Sequence, residues 1–515
     1  MIIENKLIVN RIIFNAVVNW ITRVIIAASA IVLTPILISG LGKYEYGIWI
    51  LVGQVISLLL ITDLGVANSV SRLISKYDAV GRKDKEISIY SSSILIFFVV
   101  MVIVTLAVLF TIKDIPSLLG IADEYSEVTK YVFLIMAVNI IVVFPIRVGR
   151  GLLQAKHRFD YIDVVSTVAK LVQLILIFLL YYTNDLALLV LAWIMVLTNI
   201  IAEVVIFLKA KKLHKSISFQ MNSINRNTVR EIFSLGGASL LQSMSSALSR
   251  QGMVLIVGIV LGVLYAPLFS IPLMLLLTIG PAVGRIGATF MPIASTFDSL
   301  KQVGRVLKLS VYGTRYTFML GLLISVYIYL YGDKLLTLWL PVTEISRQDI
   351  DTIYTILLIS IVPFMLSSAN QGNRVILLST GSHWLVAKIL FYSASLMLVL
   401  GAALMLYTPL GIYGVVVAWV LKLFFADYLL ILFFVLKKYS TDTMKYLRTA
   451  YAAPLISILP VIGLNMLIAN MIRPESLMSL LFNTFCFSIT AIASVYFFCL
   501  EKAHVEMLFV KKKRA

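Results

Sequence analysis

Charged residues are scarce in this sequence, and their scarcity is the first guide to its class. Of its 515 residues, 13% are charged and 60% are hydrophobic, whereas a soluble domain has roughly a quarter charged because its surface must be hydrated. The apolar stretches run for about 20 residues, which is the length of a helix that crosses a bilayer. A transmembrane β-barrel would show alternating segments of about ten residues instead. The sequence therefore predicts an all-α polytopic membrane protein.

Cysteine, histidine and nucleotide-binding motifs are also rare or missing. The two cysteines, Cys486 and Cys499, lie in the last apolar stretch and are interpreted as packing residues. The four histidines lack metal-ligand spacing, and no GxxxxGK motif followed by Ser or Thr occurs. We therefore expect no cofactor, no metal and no ATP hydrolysis. No removable signal peptide is predicted, and no outer connection is long enough for a catalytic domain, so a secondary-type transporter is favoured over an enzyme.

The apolar stretches predict about fourteen transmembrane helices with mostly short connections. Longer connections lie near 113–126, 209–229 and 332–350. The predicted spans are 10–38, 45–72, 88–112, 127–153, 160–182, 186–208, 230–260, 264–293, 304–331, 351–378, 383–406, 411–436, 447–470 and 477–500.

Lysine and arginine are distributed unevenly between the two ends of these spans. With the N-terminus inside, the inner connections carry most of them, including the runs at 72–85, 209–230, 437–448 and 502–514. Cytoplasmic connections are enriched in Lys and Arg, so we expect a multi-pass protein of the cytoplasmic (inner) membrane with both termini in the cytoplasm. The net charge of +18 is attributed to these connections and to anionic lipid headgroups, and no nucleic-acid partner is expected.

Short matches between the two halves of the chain indicate a duplication with an offset of about 220 residues. The matches are Leu41-Gly42 with Leu261-Gly262, Val168–Lys170 with Val386–Lys388, and Tyr182-Thr183 with Tyr407-Thr408. Two repeats of six helices enter the membrane from the same side and are therefore parallel. The predicted domains are an N-lobe at 1–215, a cytoplasmic linker at 216–229, a C-lobe at 230–440, and a helix pair with a basic tail at 441–515.

Charged residues inside the predicted spans are the main functional signal, because lipid strongly disfavours them. Bases outnumber acids there, so some bases need water or an anionic ligand. Guanidinium groups stay charged and form paired hydrogen bonds to oxyanions, which suits a diphosphate. The candidate bases are Arg23, Lys170, Arg250, Arg285, Arg315 and Lys422. Three others near inner span ends, Arg147, Arg150 and Arg374, are interpreted as reaching lipid headgroups.

Polar side chains share a helical face with several of these bases, at about 100° per residue. The predicted cavity residues are Asn19 and Thr22 beside Arg23, and Gln242 and Ser246 beside Arg250. A third stripe combines Asp163, Ser166 and Gln173 with Lys170. Such stripes are also common in helix–helix contacts, but an arginine in the first helix of each repeat favours an aqueous pathway.

Two acids are candidates for ion coupling. The sequence does not decide whether a Na⁺ gradient, an H⁺ gradient or the membrane potential supplies the energy. Asp63 has no obvious partner in the sequence, and a salt bridge to Arg23 is one alternative. Asp427 lies about one turn from Lys422, and we expect these two residues to pair.

Around the first two predicted helices the sequence resembles a known family. The residues are Asn19-Trp20, Pro35, LGKYEYGIW at Leu41–Trp49, DLG at Asp63–Gly65, and Arg72. They are similar to the polysaccharide and O-antigen-type flippases of the multidrug/oligosaccharidyl-lipid/polysaccharide (MOP) exporter superfamily. The resemblance implies a MATE-like V of two six-helix lobes around a cavity that opens alternately to the two membrane faces. Cavity arginines of the family match Arg23 and Arg250, and Arg285 is a looser match.

The last helix pair resembles that of fourteen-helix members of the superfamily, which include lipid II flippases. The function implied is transfer of a polyprenyl-diphosphate-linked oligosaccharide, a cell-surface polysaccharide precursor, from the cytoplasmic to the outer leaflet. The expected partners are this substrate, membrane lipids and polysaccharide-assembly enzymes. The alternatives are a multidrug/cation antiporter of the same fold, a membrane enzyme of polysaccharide assembly, and a scaffold for such enzymes. The base-rich interior argues against the antiporter, because a cavity that binds cationic drugs is expected to be lined by acidic residues.

Overall fold

The computed structural model describes residues 2–60, 65–289 and 291–500, with side chains for 14, 18–60, 65–234, 237–280, 283 and 293–500. Throughout these ranges the chain forms helices and their connections, without a β-strand. The predicted all-α class is confirmed.

The helices divide between two compact units, Met1–Pro267 (unit 1) and Leu268–Ala515 (unit 2). The helices of unit 1 are α1 (Ile2–Leu59), α2 (Val66–Ala79), α3 (Lys83–Thr111), α4 (Ile115–Leu118), α5 (Ser126–Ile146), α6 (Val148–Ala155), α7 (Phe159–Tyr182), α8 (Leu188–Leu213), α9 (Arg226–Ala247) and α10 (Met253–Leu261). A π-helical segment, Leu248–Gly252, joins α9 to α10.

The unit boundary falls inside α11 (Tyr265–Thr289). The remaining helices are α12 (Met291–Ser299), α13 (Val303–Trp339), α14 (Arg347–Ala369), α15 (Gln371–Ser379), α16 (His383–Tyr407), α17 (Ile412–Leu421), α18 (Ile431–Lys438), α19 (Thr443–Met471) and α20 (Leu477–Ser494). Two π-helical segments, Lys422–Leu430 and Val495–Cys499, follow α17 and α20.

Within the described ranges, 12 helices are long and apolar enough to cross a membrane, and one shorter apolar helix occupies Tyr265–Gly280. The first of the 12, Val18–Leu59, contains 42 residues, and its helical backbone is interrupted at Gly42. These lengths confirm a polytopic membrane protein. The count of fourteen spans stays a prediction.

Three predicted spans are interrupted in the structure. In place of 45–72, α1 ends at Leu59 and α2 begins at Val66. The predicted span 127–153 is divided between α5 and α6, and the predicted span 351–378 is divided between α14 and α15. Pro145 and Pro363 lie inside α5 and α14, upstream of breaks at Arg147 and Asn370. Proline disturbs the turn that precedes it, so neither residue accounts for a break that follows it.

The backbone at the Leu-Gly pairs supports the predicted duplication. Gly42 has φ 76° and ψ 164°, and Gly262 has φ 103° and ψ 164°. Few residues other than glycine adopt this conformation. Each of the two glycines therefore redirects the chain in the same way, as equivalent positions of a duplication would.

Other residues with positive φ also lie at matching positions in the two halves of the chain. Gly81 lies two residues before α3, and Lys301 lies two residues before α13. Likewise, His157 lies two residues before α7, and Gly381 lies two residues before α16. The match of Val168 with Val386 fails this test, because Val168 is the tenth residue of α7 and Val386 is the fourth of α16. The two triplets therefore do not occupy equivalent positions in their helices.

The last helix pair is fixed to unit 2 by a buried polar network as well as by apolar packing. The hydroxyl of Tyr446 on α19 lies 3.0 Å from Ser310 Oγ and 2.8 Å from Thr314 Oγ1, both on α13. It also donates to Asn373 Oδ1 on α15 at 2.9 Å. Because these buried groups satisfy one another, α19 has one preferred position against α13.

Candidate functional site

A polar cluster joins α1 to α7. Asn19 Nδ2 donates to Asp163 Oδ2 at 2.8 Å, and Thr167 Oγ1 donates to Thr22 Oγ1 at 3.0 Å. Arg23, one turn beyond Asn19, is exposed and its Nε donates to Asn19 Oδ1 at 3.1 Å. Asn19 and Thr22 thus connect α1 to α7, and Asn19 also contacts Arg23, which is an exposed residue.

The second exposed arginine lies on a π-helical segment of unit 1. Arg250 is an exposed residue, and its Nε approaches the carbonyl oxygen of Ser246 at 3.4 Å. On either side, Ser249 Oγ and Gln251 Oε1 are buried without a hydrogen-bond partner in the described part of the chain. Gln242, two turns earlier on α9, is partly buried. Short π-helical segments occur frequently at functional sites.

Arg23 and Arg250 share one electrostatic property. Neither forms an ion pair with any residue that the structure describes, and both belong to candidate membrane spans. A charged group in such a position requires water, a lipid headgroup or an anionic ligand. Arg23 and Arg250 are therefore candidate bases whose charge is not neutralised by an acid within the described part of the chain.

Unit 1 also contains a partly open cavity of about 410 Å³ lined by α1, α5, α6, α7 and α8 (the unit 1 cavity). Its walls combine apolar side chains with amide, hydroxyl and charged groups. The polar lining includes Ser57, Asn139, Arg150, Ser166, Lys170, Gln173, Thr198 and Asn199. Ser166, Lys170 and Gln173 of the predicted stripe on α7 line this cavity, whereas Asp163 of the same stripe accepts a hydrogen bond from Asn19 instead.

Arg150 corrects an expectation from the sequence. Instead of reaching lipid headgroups, it forms an ion pair with Glu203 on α8, with Nη2 2.6 Å from Oε1 and Nε donating to both carboxylate oxygens. Glu203 is only 6% exposed. A β-carbon on Gly149 would meet the backbone of Phe207 on α8 at 2.9 Å. The absence of a side chain at Gly149 allows α6 to approach α8 closely enough for the pair.

Lys170 is the second base of the unit 1 cavity. Its Nζ donates to Gln173 Oε1 at 2.8 Å, and Gln173 Nε2 in turn contacts Met195 Sδ. In the described ranges Lys170 forms no ion pair. Since Arg150 and Glu203 neutralise each other, the walls of the cavity retain one positive charge.

The candidate residues of unit 2 form a separate group. Lys422 Nζ donates to Asp427 Oδ2 at 2.8 Å within the π-helical segment, and both side chains are largely buried, which confirms the expected pairing. Asp427 also interacts electrostatically with Arg374. Arg374, which was expected to reach lipid headgroups, therefore has an acid of unit 2 nearby. An apolar groove of about 480 Å³ between α16 and the π-helical segment borders Lys422.

Arg315 is placed in a helix contact. It is 7% exposed, and its Nη2 and Nε donate to the carbonyl oxygen of Thr449 on α19 at 2.6 and 3.2 Å. Its guanidinium group also lies over the ring of Tyr312. These contacts hold α19 against α13 and leave little of the group accessible to a ligand.

Two candidate residues cannot be placed. Asp63 lies outside the described residues, and for Arg285 only the backbone, within α11, is described.

One end of unit 1 is held by ion pairs outside the candidate spans. Lys156 Nζ contacts Asp78 Oδ2 at 2.6 Å, and this hydrogen bond lowers the pKa of Asp78. His214, just after α8, is buried, and its Nε2 donates to Leu152 O at 3.1 Å. Burial lowers the pKa of His214. These contacts link α2, α6 and the end of α8.

Sequence reasoning missed several residues of the unit 1 cavity. Trp49 was noted only within the LGKYEYGIW motif, and Asn139 and Asn199 were not noted. Asn199 Nδ2 donates to Asn139 Oδ1 at 2.8 Å across α5 and α8. The sequence signal for Asn139 and Asn199 is an uncharged amide within an apolar span, because such groups form hydrogen bonds to other helices inside the protein. The partner itself, 60 residues away, required the structure.

A protein-family model described as polysaccharide biosynthesis protein matches residues 10–297, more than half of the chain. No match was found among curated protein sequences.

Solved structures share the fold at low sequence identity. An inward-facing multidrug resistance MATE family transporter of the MOP superfamily has a TM-score of 0.70 at 16% identity, covering 82% of this chain and 98% of that one. The lipid II flippase MurJ in an inward closed conformation has a TM-score of 0.64 at 11% identity, covering 98% of this chain and 100% of that one. A MOP superfamily transporter from Pyrococcus furiosus, described as having a binding pocket of reverse polarity, has a TM-score of 0.55 at 15% identity, covering 84% and 94%.

Proposed function

The chain belongs to the polysaccharide biosynthesis protein family, and from this premise we propose that it moves an anionic, lipid-linked oligosaccharide across the membrane. The substrate is a polyprenyl diphosphate that carries sugars, and transfer runs from the cytoplasmic to the outer leaflet by alternating access. The positive-inside distribution of Lys and Arg supports this orientation, with both termini in the cytoplasm.

The observation that carries the proposal is the pair of accessible arginines in unit 1. Arg23 and Arg250 are exposed on candidate membrane spans, and neither has an acidic partner within the described ranges. A diphosphate that leaves water needs charge-assisted hydrogen bonds, and guanidinium groups supply them in pairs. The arrangement therefore favours an anionic group over a cationic drug.

The shared fold supports a transporter and leaves the cargo open. The similar structures include a multidrug transporter and a lipid II flippase, and one is described as having reverse pocket polarity. We assign this chain to the flippase type because its exposed bases outnumber the accessible acids of its spans. The gradient that drives transfer is a Na⁺ gradient, an H⁺ gradient or the membrane potential, and Asp427 is the candidate coupling residue that the structure describes.

The test is the sidedness of a fluorescent polyprenyl-diphosphate oligosaccharide in proteoliposomes. Wild-type protein should transfer the lipid, and Arg23→Ala/Arg250→Ala should reduce the rate at least tenfold. Arg23→Lys/Arg250→Lys should keep part of the rate, because the charge remains while the paired geometry is lost. The control is Arg226→Ala/Arg473→Ala, which removes two exposed arginines outside the proposed site.

Each alternative function has a distinct outcome. A drug antiporter would export a cationic dye and tolerate loss of Arg23 and Arg250. A polysaccharide-assembly enzyme would change the mass of the glycan. A scaffold would support polysaccharide assembly in cells after loss of both arginines. Equal lipid transfer by wild type and Arg23→Ala/Arg250→Ala would remove these arginines from the mechanism.

A further inference from the structure

We propose that the unit 1 cavity binds one acidic sugar residue of the transported oligosaccharide, with Lys170 as the partner of its carboxylate. The proposal rests on the proposed function and specifies the chemistry of its cargo. It predicts a preference for head groups that contain a carboxylated sugar.

The charge of the cavity is the first argument. The ion pair between Arg150 and Glu203 is neutral as a unit, with contacts of 2.6–3.0 Å. Lys170 donates to the neutral amide oxygen of Gln173. One ammonium group with spare hydrogen-bond donors thus borders the cavity inside a membrane-spanning unit. Low-dielectric surroundings make an unpaired charge unfavourable, so a bound anion would stabilise this arrangement.

The remaining walls match a sugar rather than a bare anion. Trp49 provides an aromatic surface for the C–H face of a pyranose ring. The hydrogen bond between Asn199 Nδ2 and Asn139 Oδ1 leaves Asn199 Oδ1 and Asn139 Nδ2 for sugar hydroxyl groups. The Ser166 hydroxyl accepts from Arg150 Nη2 at 3.3 Å and can still donate. A site for inorganic phosphate would need several convergent cationic donors, whereas here the second base, Arg150, is already bound to Glu203.

The size of the cavity fits one ring. The volume of about 410 Å³ is sufficient for one pyranose ring together with some water. The cavity is therefore a specificity site for one residue of the head group.

Binding of soluble sugars tests this inference separately from transport. The probes are the methyl glycoside of glucuronate and its methyl ester, in which one added methyl group removes the charge of the carboxyl group. Inorganic phosphate is the competitor. Dissociation constants are measured by calorimetry on the purified full-length protein in detergent. Because a hydrogen bond between charged groups discriminates more strongly than a neutral one, the acid should bind at least tenfold more tightly than the ester.

Three variants assign the preference to the cavity. Lys170→Met should bring the ratio of the two dissociation constants close to one, and Lys170→Arg should retain a preference for the acid. Trp49→Leu should weaken both sugars by a similar factor, since it removes the ring contact and leaves the charge. The control Lys388→Met makes the same substitution at an exposed lysine of α16 and should leave the ratio unchanged.

The outcomes that overturn the proposal are specific. Equal binding of acid and ester by wild-type protein, or an unchanged ratio in Lys170→Met, excludes a carboxylate partner in the cavity. Competition by phosphate at the same concentration as the sugar would identify a general anion site. None of these outcomes depends on translocation, so failure of this inference is distinguishable from failure of lipid transfer.

Discussion

The ion pair between Arg150 and Glu203 leads to a quantitative prediction. Arg150→Met should lower the free energy of unfolding at neutral pH by about 3–5 kcal/mol, the usual result of removing one partner of a buried pair. The physical reason is the environment of Glu203, whose side chain is 6% exposed. Without the guanidinium group its carboxylate is left charged in a poorly solvated position.

The expected magnitude follows from the geometry. Two unit charges 2.8 Å apart attract each other by about 6 kcal/mol at an effective dielectric constant of about 20. Desolvation opposes this attraction, and replacement of an entire buried pair by apolar residues is often neutral or stabilising. The double variant Arg150→Met/Glu203→Met should therefore recover most of the stability lost in Arg150→Met.

The assay is reversible unfolding in mixed detergent and SDS micelles, followed by tryptophan fluorescence. The four proteins of the double-mutant cycle are compared, because the cycle isolates the energy of the pair. The control is Glu127→Gln, which breaks the exposed Glu127–Lys130 pair of α5, where Glu127 is 71% exposed. That change should cost only about 0–1 kcal/mol.

Two results would refute this reasoning. A loss below about 1 kcal/mol in Arg150→Met would place the pair in the class of solvated surface pairs. Strictly additive effects in the double variant would show that Arg150 and Glu203 do not interact.

Three further predictions concern other parts of the chain. Burial lowers the pKa of His214 below its ordinary value of 6.5, so the unfolded state takes up the proton first as the pH falls below that value. The stability of the protein should therefore decline as the pH falls through this range. His214→Gln should remove this part of the pH dependence, measured by thermal unfolding. Gly42→Ala should destabilise the protein by about 1–3 kcal/mol, because alanine disfavours φ 76°, whereas Gly463→Ala, inside α19 with open space around it, should cause no loss. In a variant without native cysteines, a cysteine at Asp123 should react with an impermeant thiol reagent from outside and one at Arg82 should not; the reverse pattern would overturn the orientation.

The sequence determined the class of the protein and much of its plan, because those features depend on local composition. Long apolar stretches require helices in a bilayer, so the all-α membrane fold follows from hydropathy. The Leu-Gly pairs marked equivalent turns because φ values of 76° and 103° favour glycine. The stripe with Lys170 on α7 also followed from helical periodicity, since it lies within a single helix.

The tertiary structure decided which charges are neutralised and which remain available. Arg150 was expected at the lipid headgroups and is paired with Glu203, 53 residues later. Arg315 was expected in a cavity and contacts Thr449 on α19. Neither outcome is a local property, because the partner comes from another helix. Periodicity fixes the side of a helix on which a base lies, and the packing of helices decides whether that side meets an acid, a carbonyl group or an open cavity.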